Sequence, residues 1–154
     1  MLGIIKIMKH TPLFESGFYD VPFSNFKEMS LELLVKPFAG SQRREMLADR
    51  LFALLTEVAN VCIFTEAWID GSFVTDKEEP NDVDIILWHN TLPSISPREL
   101  RIYRELRDDN LMMSRYRCDV YLAANGNGKL RRYWTNWFGY DRTQHPKGII
   151  RVIF

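Results

Sequence analysis

The amino-acid sequence predicts an α/β (α+β) fold, in which helices flank a mixed β-sheet. Two observations lead to this prediction: some apolar residues recur at three- and four-residue steps, and others form short continuous or β-branched runs. In chain order these segments are a helix, two strands, a helix, a strand, a helix and a strand. Such an order is typical of a sheet with helices packed on it.

The composition is that of one globular domain. The chain has 154 residues, of which 46% are hydrophobic and 26% charged, so it can bury a core without disulfides. Acidic and basic residues balance at 20 each, so any surface that attracts nucleic acid must be local. We expect one structural domain overall, with an irregular N-terminal arm over residues 1–40 and a main domain over residues 41–154.

The first half of the chain contains a predicted arm, a helix and two strands. Proline and glycine punctuate an apolar stretch over residues 26–35, which predicts an irregular arm that holds one short helix. From Ser41 onward the spacing of apolar residues predicts an amphipathic helix. A strand is then expected over residues 63–70, and a buried strand over residues 83–88 after a polar loop.

The second half of the chain continues the same alternation. Ser96 is a predicted N-cap, and the helix that it begins is expected to run through Leu106 and as far as Met112. The remaining predicted elements are a strand over residues 116–123, a helix over residues 129–138 and a strand over residues 148–154.

Several classes of protein are excluded by the cysteine, histidine and hydropathy patterns. Cys62 and Cys118 lie in apolar stretches without CxxC spacing, which favours reduced core thiols over a disulfide or a zinc site. The histidines also lack the spacing of zinc ligands. No signal peptide or apolar run of roughly 18 residues is found, so we expect a cytoplasmic protein with no membrane partner.

Three aspartates form the predicted catalytic and metal site. Asp82 and Asp84 enter one predicted strand two positions apart, so their side chains point to the same face, about 7 Å apart from Cα to Cα. Two such carboxylates repel, and a divalent cation relieves the repulsion. Asp119, on a later strand, would complete an oxygen ligand set for Mg²⁺ or Mn²⁺, as in two-metal phosphoryl transfer.

A glycine-serine turn provides the second half of the predicted site. Gly71 lets the backbone approach a phosphate, and the Ser72 hydroxyl can donate a hydrogen bond to its oxygens. Arg142 and Lys147 have the charge to contact a triphosphate, although a solvated surface loop is the alternative for both. Tyr140 is the aromatic residue of this region that is most available to stack on a base.

Purely structural roles are also open for these and nearby residues. Asp82 could cap a turn, and Asp119 could form an ion pair with Arg115 or Arg117. Helical spacing assigns two further groups to ordinary roles, which are core packing for Trp134, Trp137 and Phe138, and a solvated basic helix face for Arg98, Arg101, Arg104 and Arg107.

Two segments, Trp68–Thr75 and Pro80–Ile86, resemble the signature of the nucleotidyltransferase superfamily, which includes DNA polymerase beta and nucleotide-adding tRNA enzymes. The shared features are a Gly-Ser turn, a gap of about ten residues and an Asp-x-Asp pair. Within the superfamily, the chain is most similar to an uncharacterised bacterial and phage family of small stand-alone minimal nucleotidyltransferases. The resemblance covers roughly residues 43–152 and also includes Tyr133–Gly139 in the tail.

The resemblance implies a nucleotidyltransferase fold and a role for each residue of the motif. Asp82 and Asp84 match the metal-binding pair, and Gly71 and Ser72 match the phosphate turn. Asp119 matches the third acid, which in the superfamily helps to activate the attacking hydroxyl.

The activity so implied is metal-dependent transfer of a nucleoside monophosphate from a nucleoside triphosphate to a hydroxyl of RNA, protein or a small molecule. The chain has no room for the helical domain with which larger relatives grip the base or the acceptor, so a homodimer or a partner protein could supply that surface. The alternative is a non-catalytic nucleotide-binding or protein-interaction module, such as an antitoxin-like or phage-defence component.

Overall fold

The computed structural model describes residues 10–91, 95–140 and 145–154, which form a five-stranded mixed sheet with helices on both faces. The strands are β1 (Gly17–Pro22), β2 (Phe64–Asp70), β3 (Val83–His89), β4 (Cys118–Ala124) and β5 (Gly148–Ile153). Their order across the sheet is β1-β5-β2-β3-β4. β1 is parallel to β5 and β3 is parallel to β4, whereas β2 is antiparallel to both of its neighbours. The predicted mixed sheet with flanking helices is confirmed.

The helices are α1 (Phe23–Ser30), α2 (Gln42–Ala59), α3 (Pro97–Leu106), α4 (Asp109–Tyr116) and α5 (Gly128–Phe138). A π-helical turn and a 3-10 turn extend α1 over Leu31–Val35 and Lys36–Phe38, and a second 3-10 turn covers Ser72–Val74. Within the described ranges, no helix is long and apolar enough to cross a membrane.

Helix starts follow the capping residues in the sequence. The Ser41 side chain accepts a hydrogen bond from the Arg44 amide, and α2 begins directly after it, as predicted. At α3, Ser96 and Glu99 form a complete capping box, with Pro97 in the first turn. Both helices are therefore fixed at their N-termini by local sequence.

The two faces of the sheet carry separate cores because side chains alternate along each strand. On one face Ile69, Ile85 and Val120 belong to a large cluster that includes the apolar side of α2. On the other face Trp68 and Trp88 belong to a smaller cluster, which α5 covers with Leu130, Trp134 and Phe138. The aspartates of the predicted site lie at the end of this second face.

β1 was not predicted from the sequence, which indicated only an irregular arm with a helix at this place. Five of the six residues of β1 are exposed and Val21 alone is buried, so the strand lacks the apolar alternation that would have revealed it. It forms an edge strand because it pairs with β5 along its whole length. The bidentate pair between Asp20 and Arg151, with N–O distances of 2.7 and 2.8 Å, stabilises that pairing.

Two other predictions are wrong in detail. The helix that begins at Pro97 ends at Leu106, and Asp108 caps a new helix by accepting a hydrogen bond from the Leu111 amide. The apolar spacing that favours a helix continues from the first helix into the second. The two are separate because the Asp108 side chain caps the second one. The prediction of two core thiols holds for Cys118, which is buried, but Cys62 is exposed.

Candidate functional site

Three aspartates lie side by side across the sheet, on three neighbouring strands. Asp70 on β2 pairs with Asp84 on β3, and Asp84 pairs with Asp119 on β4. Adjacent strands are about 4.8 Å apart, so the three carboxylates project from one face within a short distance of each other. Asp82 precedes β3 by one residue, two positions before Asp84. We call these four residues the acid row.

Asp70 was missed in the sequence, although it is the most deeply buried member of the acid row, with 3% of its surface exposed. Its Oδ2 lies 2.8 Å from the Lys147 ammonium. Its Oδ1 is buried without a hydrogen-bond partner among the described residues. An acid that ends an apolar strand was the available signal, since burial of a carboxylate is costly unless something compensates it.

Two acids of the row, Asp84 and Asp70, have raised pKa values. Burial, followed by the charges of Asp82, Asp70 and Asp119, raises the pKa of Asp84 to about 7. Burial also raises the pKa of Asp70 to about 6, although Lys147 acts in the opposite direction. The Lys147 ammonium lowers the pKa of Asp70, but burial has the larger effect on this carboxyl.

Asp119 accepts a hydrogen bond from the hydroxyl of Tyr121, at 2.8 Å. Burial and this hydrogen bond raise the pKa of Tyr121 above its usual value, so the phenol remains a donor. Arg115 instead pairs with Glu105 at 3.3 Å, and Arg117 donates to the Asn81 carbonyl at 3.0 and 3.2 Å. Neither arginine therefore forms the ion pair that was the structural alternative for Asp119.

A tight connection brings Asp119 beside Asp84. Arg117 follows α4 in the left-handed conformation, with φ of 56°, and β4 begins at the next residue. The Arg117 carbonyl accepts a hydrogen bond from the Val83 amide, at 3.0 Å. The start of β3 and the start of β4 are thus joined through one residue, which fixes the pairing of the two acids.

Gly71 is the residue that allows the acid row to form beside the turn. It has φ of 91°, and a Cβ at this position would lie 2.6 Å from Oδ2 of Asp84. A glycine is needed here because any side chain would collide with that carboxylate. The close neighbour of Gly71 within the chain is therefore the Asp84 carboxylate, and its approach to a phosphate stays a prediction.

Arg44 holds the segment after Gly71 in place and was also missed. Its guanidinium is fully buried and donates to the carbonyls of Phe73, Thr75 and Lys77, at 2.9, 2.6 and 2.6 Å, and to that of Leu34, at 2.9 Å. Burial lowers its pKa to about 10, so it remains charged at neutral pH. The amphipathic helix that was predicted from Ser41 onward therefore carries the charged residue Arg44 on its buried side.

The residues that were predicted to contact the nucleotide differ in their exposure and in their contacts. Lys147 is nearly buried, with 12% of its side chain exposed, because it pairs with Asp70. Tyr140 is 43% exposed, and it forms a β-bridge with Pro146. Ser72 is half-buried in the 3-10 turn. Arg142 lies outside the described residues.

Core packing is confirmed for two of the three aromatic residues of α5. Phe138 is buried and Trp134 packs against the same cluster. Trp137 is 64% exposed, so the prediction of core packing is wrong there. The contact between the helix and the sheet is limited to a narrow apolar stripe, and Trp137 lies just outside it, on the side that also carries Tyr133.

The oxygen donors of the acid row suit a hard divalent cation. In the described ranges, no group of three or more His, Cys, Asp or Glu side chains is arranged to hold a metal ion. The buried Oδ1 of Asp70, which has no hydrogen-bond partner among the described residues, fits Mg²⁺ or Mn²⁺, which take oxygen ligands.

One family model, described as a family of unknown function (DUF6932), matches residues 8–153. The chain belongs to DUF6932. The matched range includes every member of the acid row in this DUF6932 protein, together with Gly71, Arg44 and Lys147. Searches of curated proteins and of solved structures found no match.

Proposed function

We propose that this protein is a metal-dependent nucleotidyltransferase, which moves a nucleoside monophosphate from a nucleoside triphosphate to a hydroxyl acceptor. The register of β2, β3 and β4 is the observation that carries the proposal, because it sets three aspartates side by side next to a fourth. The resemblance to the nucleotidyltransferase signature supports it, since Asp82, Asp84 and Asp119 match the acids of that signature. The nucleotidyltransferase fold is part of the same proposal.

Asp82 and Asp84 would hold Mg²⁺, with Asp119 as the third ligand. When bound, the ions would supply the positive charge that stabilises the transferring phosphoryl group. The proton that must leave the acid row is the one associated with Asp84, because the pKa of this residue is raised to about 7. Binding of a cation is therefore expected to release a proton near neutral pH.

Asp119 would accept the proton of the acceptor hydroxyl, which is the role that its match to the third acid of the signature implies. Asp119 is half-buried, so an acceptor hydroxyl can reach its carboxylate, whose Oδ2 also accepts a hydrogen bond from Tyr121. In the transfer, the acceptor oxygen forms a bond to the α-phosphorus and the bond from that phosphorus to the bridging oxygen of the β-phosphate breaks. Pyrophosphate leaves, and the hydroxyl proton passes to Asp119.

Lys147 and Gly71 act on the site through Asp70 and Asp84. The ion pair at 2.8 Å joins the residue before β5 to the end of β2, which fixes Asp70 at one end of the row. Gly71 leaves the space that the Asp84 carboxylate occupies. Ser72 and the solvent-exposed Tyr140 remain the proposed contacts to the phosphates and the base, and Arg142 stays a sequence-based candidate.

The test is transfer of label from α-labelled nucleoside triphosphates in the presence of Mg²⁺ or Mn²⁺. Each nucleotide is incubated with total RNA, with cell lysate or without acceptor, beside the Asp82→Asn/Asp84→Asn variant. Asp49→Asn is the matched control, because Asp49 is an exposed acid on α2. We expect label transfer and pyrophosphate release by the wild type and Asp49→Asn only.

Two results would separate the proposal from its alternative. Metal-dependent nucleotide binding by calorimetry, without turnover under any condition, would identify a nucleotide-binding module that does not catalyse transfer. Equal turnover by wild type and Asp82→Asn/Asp84→Asn would show that the activity does not come from the acid row.

A further inference from the structure

The outward face of α5 presents large aromatic side chains to solvent. Trp137 is 64% exposed and Tyr133 is 57% exposed, and these two residues are one helical turn apart on the same side. Tyr140, just beyond the end of the helix, is 43% exposed. Three such residues in thirteen positions are an unusual concentration of exposed aromatic surface. We use the name α5 surface for the following residues: Lys129, Arg132, Tyr133, Trp137 and Tyr140.

The same helix is basic and lacks acids. Residues 128–140 contain Lys129, Arg131 and Arg132 and no aspartate or glutamate, although the chain as a whole has a net charge of zero. Arg131 turns inward, pairs with Glu66 at 2.7 Å and lies over the ring of Trp88. Lys129 and Arg132 are exposed and share the outward face with the aromatic residues.

A chain of contacts connects the α5 surface to the acid row. The ring of Tyr133 meets that of Trp134 at a centroid distance of 5.2 Å, and Trp134 meets Tyr121 at 5.0 Å. The Tyr121 hydroxyl is 2.8 Å from Oδ2 of Asp119. A molecule that lies along the α5 surface can therefore extend over Tyr121 to the carboxylate that faces the acceptor.

We propose that the α5 surface binds single-stranded nucleic acid. Exposed aromatic rings stack on unpaired bases of any sequence, and nearby cations neutralise the phosphates between them. A protein partner would also bury tryptophan and tyrosine, but a helix with cations and no acids favours a polyanion. Bases in a duplex are already stacked, so the surface selects single strands.

The binding surface deepens the proposed function, because it names the acceptor as the terminal hydroxyl of a single strand. Only this link to transfer rests on the proposed function. The binding itself depends on the exposed rings and the two cations, which do not require active acids. The two ideas can therefore fail separately.

The experiment is fluorescence anisotropy of labelled single-stranded RNA and DNA of about 12 nucleotides, within the usual range of site sizes. Binding is measured in EDTA, without nucleoside triphosphate, at two salt concentrations and against the matching duplex. Tyr133→Ala and Trp137→Ala are compared with Tyr19→Ala, because Tyr19 is a 41% exposed tyrosine on the distant strand β1. Lys129→Gln/Arg132→Gln is compared with Arg101→Gln/Arg104→Gln on the exposed face of α3.

We expect the wild type to prefer the single strand over the duplex and to bind more weakly as salt rises. Each aromatic substitution should raise Kd about tenfold, the double glutamine variant on α5 should flatten the salt dependence, and both controls should bind as the wild type does. Absence of binding by the wild type, a preference for duplex, or an equal loss in Tyr19→Ala would overturn the proposal. So would a dimer that dissociates on Trp137→Ala without any effect on nucleic acid, since the surface would then bind a second copy.

Discussion

A Cβ added at Gly71 would lie 2.6 Å from Oδ2 of Asp84, so no space for a side chain remains between the turn and the acid row. The shape of the turn and the position of the carboxylate are therefore coupled. Gly71→Ala must either push Asp84 away from the row or distort the turn.

We expect Gly71→Ala to lower the free energy of unfolding by about 2–4 kcal/mol and to abolish binding of Mn²⁺. Part of that loss comes from the φ of 91°, which costs a residue with a Cβ about 1–2 kcal/mol. Gly40→Ala is the matched control, because Gly40 has φ of 93° and nothing within 4 Å of its Cβ position. Urea unfolding and Mn²⁺ titration measure both effects. A loss of stability in Gly71→Ala no larger than in Gly40→Ala would contradict the coupling.

The protonation of Asp84 should make the metal-free protein less stable at high pH. A folded-state pKa of about 7, raised from 3.8, means that the folded protein holds a proton that the unfolded chain releases. The stability that this proton provides is complete below pH 4 and is lost as the pH rises through 7. In EDTA, the Tm of the wild type should therefore fall relative to that of Asp84→Asn, by a few degrees between pH 5 and pH 8.

Thermal unfolding of wild type, Asp84→Asn and Asp49→Asn over this pH range checks the prediction. The comparison is between differences in Tm, because titrating groups far from the acid row contribute about equally to all three proteins. Addition of Mg²⁺ at pH 8 should restore the wild type and leave Asp84→Asn unchanged. Parallel Tm curves for the three proteins would show that Asp84 titrates normally.

The ion pair between Lys147 and Asp70 should contribute more to the free energy of unfolding than the ion pairs at the protein surface do. Lys147→Met leaves the 3%-exposed Asp70 without its cation, and we expect a loss of about 3 kcal/mol in the free energy of unfolding. Asp70→Asn/Lys147→Met should recover most of that loss, since the buried charge is then absent. Urea unfolding at pH 8 measures the cycle. Additive effects of the two substitutions would indicate that the residues do not interact.

Arg44→Lys should destabilise the segment from Ser72 to Lys77 because an ammonium cannot reach the four carbonyls that the guanidinium binds. A loss of about 3 kcal/mol in unfolding free energy is expected, with faster amide exchange in this segment. Arg50→Lys, a half-buried arginine on the same helix, is the control. An unchanged rate of amide exchange in Arg44→Lys would show that Arg44 does not stabilise this segment.

Local patterns explain which parts of the site could be read from the sequence. The common face of Asp82 and Asp84 follows from strand alternation, and the helix start at Ser41 follows from its side chain. The pairing of Asp84 with Asp119 depends on the order and direction of β3 and β4, which no local pattern encodes. The resemblance to the nucleotidyltransferase signature was what connected Asp119 with Asp84 in the prediction.

Arg44 and Asp70 could not be assigned for a related reason. Each is a charged residue in an apolar position, and its partners lie 10 to 77 positions away along the chain. A charge in such a place signals that compensation exists, but it does not say where. Trp137 shows the opposite case, since its spacing is compatible with the core and only the width of the contact between α5 and the sheet leaves it outside.

β5 lies between β1 and β2, although it follows both of them in the chain by more than seventy residues. During synthesis on the ribosome, β1 and the central hairpin-like pair of β2 and β3 emerge well before their common neighbour. Until residues 147–153 are available, β1 has no strand to pair with and Asp70 has no ammonium. The ion pair that fixes Asp70 therefore forms only after β5 has been synthesised, and a fragment that stops short of β5 lacks it.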